Sequence, residues 1–246
     1  MAEQNIVSIE DESNLQLQID DRNTSNRFVA FLDIMGFKER VARTNHSELR
    51  KLLTDFNKDI TTHIGKYQNS EIELSQFSDS IVLFSKDDNQ ESLKTLAEVA
   101  RGIMQTAIKR HIPIKGAIAQ GQLTCDMPKQ LFFGQALIDA YILEENIHYY
   151  GILVHHTAES SVLEPENDGI FKDIKAPLKC GRVSHYELLW YVDDNIPNIQ
   201  EEIKAALKNI RQTVSDAPRK YIDNTLDVIK EYYNEKEVKS DLKVIQ

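Results

Sequence analysis

The chain has 246 residues, of which 41% are hydrophobic and 28% charged, a balance typical of a globular protein rather than a disordered or fibrous one. Its formal net charge of −10 argues against a nucleic-acid partner, because nucleic-acid-binding proteins usually carry a basic face. No apolar run approaches the roughly 20 residues that cross a bilayer. The N-terminus is polar and acidic, unlike a signal peptide, so we predict a cytoplasmic protein with no membrane partner.

The N-terminal third of the chain predicts a tail, a buried strand and a helix. Residues 1–26 are polar and predict a tail or an edge strand. Residues 27–33 predict the first buried strand, an apolar and β-branched run that ends at Asp33 just before Gly36. Apolar residues recur at three- and four-residue spacing over residues 49–60, which predicts an amphipathic helix.

The rest of the chain predicts an α+β fold. In chain order we expect a hairpin of 71–77 and 80–85, a helix over 90–110, a strand over 113–121, a loop around Pro128, a helix over 135–145, a strand over 149–154, a strand pair of 169–179 and 182–192, and two helical segments separated near 216–218. Without its additions, this order is that of a ferredoxin-like βαββαβ core. We therefore divide the chain into a tail (1–26), a main domain (27–194) and a helical C-terminal extension (195–246).

Two carboxylates fall at the ends of neighbouring predicted strands. Asp33 ends the first strand, and Asp79 lies in Ser78-Asp79-Ser80 between the two strands of the hairpin. In a ferredoxin-like sheet these strands lie side by side, so the two acids are expected to meet at one edge. Such a pair suits a hard divalent cation such as Mg²⁺, which prefers oxygen ligands. A simpler alternative is that Asp33 caps the helix that follows it.

Four segments carry a resemblance to a known family and occur in that family's order. They are Phe31-Leu-Asp-Ile-Met-Gly-Phe37, Phe77-Ser-Asp-Ser-Ile-Val82, Ile114-Lys-Gly-Ala-Ile-Ala-Gln-Gly121 and Phe133-Gly-Gln-Ala-Leu-Ile-Asp-Ala-Tyr-Ile-Leu-Glu144. With them the chain resembles the catalytic domain of class III nucleotidyl (adenylate/guanylate) cyclases. It is most similar to the bacterial pyrimidine (uridylate/cytidylate) cyclases of Pycsar anti-phage systems. The resemblance covers residues 27–192 and is carried by the four segments together.

The resemblance implies a metal-dependent lyase. Asp33 and Asp79, with the backbone carbonyl of Ile34, would hold two divalent metal ions, Mg or Mn. The β- and γ-phosphates would lie against the backbone N–H groups of the turn made by Ile34, Met35, Gly36 and Phe37, since a helix start favours anions. Attack of the ribose 3′-hydroxyl on the α-phosphorus would then give a 3′,5′-cyclic nucleotide and pyrophosphate.

Three further residues are candidates for the site by resemblance. Lys179 resembles the lysine that class III cyclases direct at the triphosphate, although a lysine near a strand start is often only solvated. Lys115 stands where related pyrimidine cyclases tend to carry arginine, and either a phosphate contact or a structural salt bridge is open to it. Tyr141 lies on the helix that carries transition-state residues in purine cyclases, and it either contacts substrate or packs in a dimer interface.

The positions that read the base in purine cyclases are Ser75 and Leu131 here, and neither supplies the polar partner that adenine or guanine needs. Ile138 and Ile142 stand where those enzymes carry Asn and Arg. The resemblance therefore implies UTP or CTP as substrate; we favour UTP, although neither Ser75 nor Leu131 distinguishes the two pyrimidines. It also implies a homodimer with composite active sites and a downstream effector that reads the cyclic nucleotide. A non-catalytic cyclase-like binding module and a polymerase-palm-related oligonucleotide synthase are the alternatives.

Overall fold

The computed structural model describes residues 23–67, 72–193 and 195–244, with side chains to residue 237 in the last helix. Its strands are β1 (Thr24–Ile34), β2 (Glu73–Phe77), β3 (Ser80–Phe84), β4 (Ile114–Asp126), β5 (Leu131–Gly134), β6 (Ile152–Val154), β7 (Phe171–Leu178) and β8 (Gly181–Leu188). Its α-helices are α1 (Phe37–Arg43), α2 (His46–Ile64), α3 (Gln90–Lys109), α4 (Gln135–Asn146), α5 (Glu159–Val162), α6 (Ile199–Thr213) and α7 (Asp216–Val244). In the part of the chain that is described, no helix is both long and apolar enough to cross a membrane.

The strands form one sheet with the order β2-β3-β1-β4-β6-β8-β7, and β5 pairs with the far end of β4. Strands β1 to β4, with α2 and α3 between them, make a ferredoxin-like core in which β1 lies antiparallel to both β3 and β4. Strand β6 runs parallel to β4, and the β7–β8 hairpin completes the sheet. The predicted α+β fold with a βαββαβ core is confirmed.

Most predicted elements are found, with shifted ends. Strand β1 begins at Thr24, three residues before the predicted start, while residues 1–22 of the predicted tail lie outside the described residues. The predicted loop before Gly134 contains the short strand β5, which the sequence analysis missed. The predicted strand over 149–154 is reduced to three residues. Pro218 lies in the first turn of α7 rather than between helices. Proline is tolerated there because N–H groups in the first turn have no partner within the helix.

The two faces of the sheet are packed differently because side chains alternate along each strand. One face carries Phe28, Leu32 and other even-numbered residues of β1, and it packs in the main core against α2, α3 and α6. The opposite face carries Val29 and Phe31, and a smaller cluster there packs against α4. Asp33 belongs to this second face by alternation.

Close packing of β1 against β4 depends on Gly116. A Cβ atom at this position would lie 2.3 Å from Leu32 Cδ2 and 2.7 Å from the carbonyl oxygen of Phe31. These distances are shorter than any ordinary contact between heavy atoms. Only glycine therefore allows the two central strands their observed separation.

The C-terminal helices share the main core with the sheet. Ile203 and Leu207 of α6 and Ile222 of α7 are completely buried in it. Two polar side chains of α7 also reach the segment before β6: Thr225 Oγ1 accepts the N–H of Tyr150 at 2.8 Å, and Asn224 donates to the carbonyl of His148 at 2.7 Å. The extension is therefore bound by apolar packing and by hydrogen bonds to buried backbone groups.

A carboxyl group lies in the apolar region between β8 and α7. Glu187 is completely buried, and its Oε2 accepts the hydroxyl of Tyr191 at 3.1 Å. Burial raises the pKa of Glu187 to about 8, and the hydroxyl groups of Tyr149 and Tyr191 and the charge of Lys172 only partly oppose this effect. The folded state therefore favours the protonated acid at neutral pH.

This raised pKa predicts a pH-dependent stability that a Glu187→Gln substitution removes. The folded chain holds a proton on Glu187 that the unfolded chain releases near the ordinary pKa of 4.5, so wild-type stability decreases from about pH 4.5 to about pH 8. The variant should match wild type near pH 5 and exceed it by a few kcal/mol, roughly 2–4, at pH 8.5. Urea unfolding at both pH values measures this. Glu231→Gln, at an exposed carboxylate paired with Arg182, is the control, and an equal difference at both pH values would contradict the prediction.

Candidate active site

The fold places Asp33 and Asp79 at neighbouring strand ends. Asp33 is the penultimate residue of β1, opposite Ser80 of β3 on one side and Lys115 of β4 on the other. Asp79 lies in the turn between β2 and β3, and its carbonyl accepts the N–H of Ile34 at 2.9 Å. This backbone hydrogen bond fixes the hairpin turn beside the end of β1.

The electrostatics of Asp33 fit a bound cation. Burial raises the pKa of Asp33, the nearby charge of Asp79 raises it further, and the charge of Lys115 opposes both. Two half-buried carboxylates that repel each other are stabilised by a cation between them. The described residues contain no group of three or more His, Cys, Asp or Glu side chains placed so that they could hold a metal ion. These two acids and the carbonyl of Ile34 are hard oxygen donors suited to Mg²⁺ or Mn²⁺, and ligand or water oxygens would complete the coordination.

The turn of residues 34–37 offers fewer free donors than the resemblance implied. The N–H of Ile34 donates to the Asp79 carbonyl, and the N–H of Met35 donates to the carbonyl of Pro113, each at 2.9 Å. Both groups are therefore used to hold the turn against the sheet. The expectation that they face a phosphate is not compatible with these bonds.

The N–H groups of Gly36 and Phe37 are available to a ligand, because neither has a hydrogen-bond acceptor in the described part of the chain. Gly36 adopts the left-handed conformation, with φ at 68°, and this lets β1 turn sharply into α1. Helix α1 then starts at Phe37, and the N–H of Arg40 donates to the Gly36 carbonyl at 3.1 Å. These two N–H groups lie at the start of α1, and the start of a helix favours a bound anion.

Lys115 forms a buried ion pair beneath α4. Its Nζ lies 2.9 Å from Glu144 Oε1 and donates to the backbone carbonyl of Glu144 at 2.6 Å. Both side chains are almost fully buried, so Lys115 cannot reach a phosphate at the surface. Of the two roles left open for Lys115, the geometry favours the structural salt bridge. The partner, Glu144, was missed as a site residue, although its position one turn after Tyr141 was visible in the sequence.

Glu144 and Tyr141 bring α4 into the electrostatic environment of Asp33. Burial raises the pKa of Glu144, Lys115 lowers it, and Asp33 raises it. The ring of Tyr141 meets that of Phe31 edge to face, with centroids 5.4 Å apart. A hydrogen bond to Glu145 raises the pKa of Tyr141, so its hydroxyl stays protonated at neutral pH. The fold therefore brings Tyr141 close to Asp33 within one chain.

Lys179 lies in the exposed turn between β7 and β8. Its N–H donates to the carbonyl of Asn146, the last residue of α4, at 2.9 Å. Burial lowers the pKa of His148, and the charges of Lys220, Lys115 and Lys179 lower it further. Lys179 thus lies near the C-terminal end of α4, with its side chain free to extend from the surface.

The two base-reading positions lie on different strands, Ser75 on β2 and Leu131 at the start of β5. Ser75 shares a face of β2 with Glu73, whose Oε2 accepts the thiol of Cys125 at 3.0 Å. The next residue along β4, Asp126, is the pairing partner of Leu131. Burial raises the pKa of Cys125 to about 12, so the thiol remains a neutral donor to Glu73.

Exposed apolar side chains occur on the β2–β3 hairpin, near Asp79, and on α4. Phe77, two residues before Asp79, is 83% exposed. On α4, Ile138 and Ile142 are 50% and 51% exposed and lie on one side of the helix with Tyr141. We call these four residues the apolar patch. A patch of this kind typically marks a surface that another protein covers.

No protein-family model matches the chain, and no curated protein matches it. Solved structures do match. The guanylate cyclase domain of RhGC from Catenaria anguillulae, in complex with GTP, matches with a TM-score of 0.52 and 14% identity over 67% of this chain and 96% of that domain. A bacterial light-regulated adenylyl cyclase matches with a TM-score of 0.51 and 13% identity over 74% of this chain and 98% of that protein.

A third match is the catalytic core of a rhodopsin-guanylyl cyclase with converted specificity, in complex with ATPalphaS. It has a TM-score of 0.53 and 14% identity, over 67% of this chain and 95% of that core. These likenesses cover nearly the whole of each cyclase structure. The chain therefore has the fold of the class III nucleotide cyclase catalytic domain.

The buried pair predicts strong coupling between Lys115 and Glu144. Lys115→Met should lower the free energy of unfolding by roughly 3–5 kcal/mol, because the Glu144 carboxyl is then buried with no cation beside it. The double variant Lys115→Met/Glu144→Leu should recover part of this loss, since neither charge remains. Urea denaturation of the two single variants and the double variant measures the coupling. Losses that simply add would contradict it.

Proposed function

We propose that this protein is a pyrimidine nucleotide cyclase that converts UTP or CTP to 3′,5′-cyclic UMP or CMP and pyrophosphate. The observation that carries the proposal is the placement of Asp33 and Asp79 at adjacent strand ends of a class III cyclase fold. Like charges are costly there unless a cation lies between them, and a triphosphate brings such cations with it. The apolar patch offers a surface that a second subunit would cover.

The proposed chemistry is largely positioning and charge neutralisation. The metal ions, when bound, would lower the pKa of the ribose 3′-hydroxyl and neutralise the triphosphate. Asp33 and Asp79 hold the cations, and Lys115, opposite Asp33 on β4, lowers the pKa of Asp33 against the effects of burial and of Asp79. The N–H groups of Gly36 and Phe37 would donate to a phosphate at the start of α1.

A pyrimidine substrate is favoured by what surrounds the base positions. The hydroxyl of Ser75 and the apolar Leu131 offer no pair of polar groups to the edge of a purine. Of the two pyrimidines we favour UTP. The similarity of the four sequence segments to Pycsar cyclases supports a role in bacterial anti-phage signalling, through an effector that reads the cyclic product.

We also propose that the enzyme is a homodimer with composite sites. In that arrangement the metal-binding acids of one subunit would face α4 and Lys179 of the other. The apolar patch supports it, since Ile138 and Ile142 occupy the positions of the missing Asn and Arg and are half exposed in one chain. Two copies would cover this patch, and Lys179 supplies a cation at the C-terminal end of α4.

The same two isoleucines favour one competing candidate, a non-catalytic nucleotide-binding module. An exposed Ile138 and Ile142 cannot stabilise charge in a transition state. Retention of both Asp33 and Asp79 argues for turnover, because two repelling carboxylates are a costly way to bind a phosphate without metal chemistry. Product analysis separates the two candidates.

Incubation with each of the four nucleoside triphosphates and Mn²⁺ should give cyclic UMP or cyclic CMP as the main product. The products are resolved by mass spectrometry, and pyrophosphate release is measured in parallel. Asp79→Ala should lower the rate by at least about 100-fold, because one metal ligand is lost. Asp173→Ala, at an acid of β7 distant from the site, is the control. Mainly cyclic AMP or GMP would overturn the pyrimidine specificity, and tight nucleotide binding without product would support the binding module.

Substitution within the apolar patch should separate the subunits. Ile142→Glu places a charge where the second copy is expected to pack, so the variant should elute as a monomer and lose activity. Size-exclusion chromatography with light scattering, together with the cyclase assay, measures both effects. Val183→Glu, at an exposed apolar residue of β8 outside the patch, should change neither. A dimer that withstands Ile142→Glu would refute the proposed interface.

A further inference from the structure

A second candidate site lies on the other side of the sheet from Asp33. A cavity of about 410 Å³ opens between α2, α3 and the segment that leads into α6. Its polar lining includes His63, Lys66, Arg101, Gln105, Lys109 and Asn195. Cavities that bind small molecules are usually about 300–1,000 Å³, so this one is large enough for a small metabolite. We propose that it binds a small phosphate-bearing molecule.

Arg101 is the strongest indication of a ligand. Its Nε is buried, yet it has no hydrogen-bond partner among the described residues. A buried N–H group without an acceptor is unfavourable, and a guanidinium group suits phosphate oxygens in particular. Arg101 lies on α3 and lines the cavity. An anion in the cavity would supply the missing acceptor.

The charges around the cavity favour an anion. Lys66 makes no ion pair with the described residues, and Lys109 pairs with the half-exposed Glu202 of α6 at 2.8 Å. Glu98 and Asp193 also line the cavity and oppose this charge. Glu98 accepts the hydroxyl of Tyr67, and Asp193 Oδ1 accepts the N–H of Asn195 at 3.0 Å. Both acids thus have donors within the chain, whereas Lys66 and Arg101 remain available.

His63 and Gln105 complete the lining. Burial lowers the pKa of His63, so its ring is neutral at pH 7, and it packs against Gly102, where a Cβ would lie within 2.1 Å of two ring atoms. Gln105 donates through Nε2 to the carbonyl of Trp190 at 2.9 Å. Trp190 is the single tryptophan of the chain, so its fluorescence should report on the cavity.

The cavity also touches the segment before the C-terminal helices. Asp193, Asn195 and Ile196 contribute to its wall, and the Lys109–Glu202 pair joins α3 to α6 beside it. A molecule bound there would contact the sheet-packing helices and this segment at once. Binding should therefore raise the stability of the whole chain.

The test is a titration of the full chain with inorganic phosphate in the presence of EDTA, which keeps divalent metals from the Asp33–Asp79 edge. Binding is followed by Trp190 fluorescence and by the thermal midpoint, at constant ionic strength maintained with chloride. A parallel titration with uridine monophosphate separates free phosphate from a phosphate ester. Wild type should saturate with phosphate or with the ester and gain thermal stability. Equal changes with chloride alone would overturn the proposal.

Substitutions of lining residues test whether phosphate binds in this cavity. Arg101→Met and Lys66→Met should each weaken it by about 10-fold to 100-fold, because each removes a charged donor. Because Lys66 is exposed, Lys66→Met should fold even if Arg101→Met does not, and it then tests the site by itself. Lys94→Met, at an exposed lysine of α3 outside the cavity, and Asp79→Ala should both bind as wild type does. Affinity that is unchanged in Arg101→Met and Lys66→Met, or lost in Asp79→Ala, would refute this site.

Discussion

The carboxylate of Asp33 at the end of a buried central strand is the constraint on which the arrangement around it depends. A charge in that position is costly unless groups of opposite charge lie near it. Lys115 supplies one from the neighbouring strand, and Glu144 holds Lys115 in place from α4. Asp79 adds a second negative charge rather than removing the first. The surplus of negative charge at this edge is what makes a cation, and a phosphate with it, a good fit.

Local patterns in the sequence predict the strands, the hairpin and the meeting of the two acids. Alternation and apolar runs define β1 to β4 because each strand buries at least one face. The order of the elements then identifies the core, since few topologies combine two βαβ halves in one antiparallel sheet. Asp33 and Asp79 could therefore be paired from sequence alone, although 46 positions separate their numbers in the chain.

Other features depend on contacts that no local pattern contains. The ion pair of Lys115 and Glu144 joins β4 to a helix 29 positions further along, so the sequence left Lys115 open between a phosphate contact and a salt bridge and did not identify Glu144 as its partner. The donors of Ile34 and Met35 are used by two loop carbonyls whose positions only the fold determines. Strand β5 is four residues long and exists through its pairing with β4, not through its own composition.

Because β1 and β4 approach each other closely at Gly116, the residue at position 116 controls the distance between the charges of Asp33 and Lys115. Lys115 precedes Gly116 along β4, and Asp33 follows Leu32 along β1, so any group added at Gly116 would wedge these strands apart. The ammonium and the carboxylate would separate together with their backbones. A single methyl group on the core side of the sheet could thus alter the ionisation of an acid on the opposite side, without touching that acid.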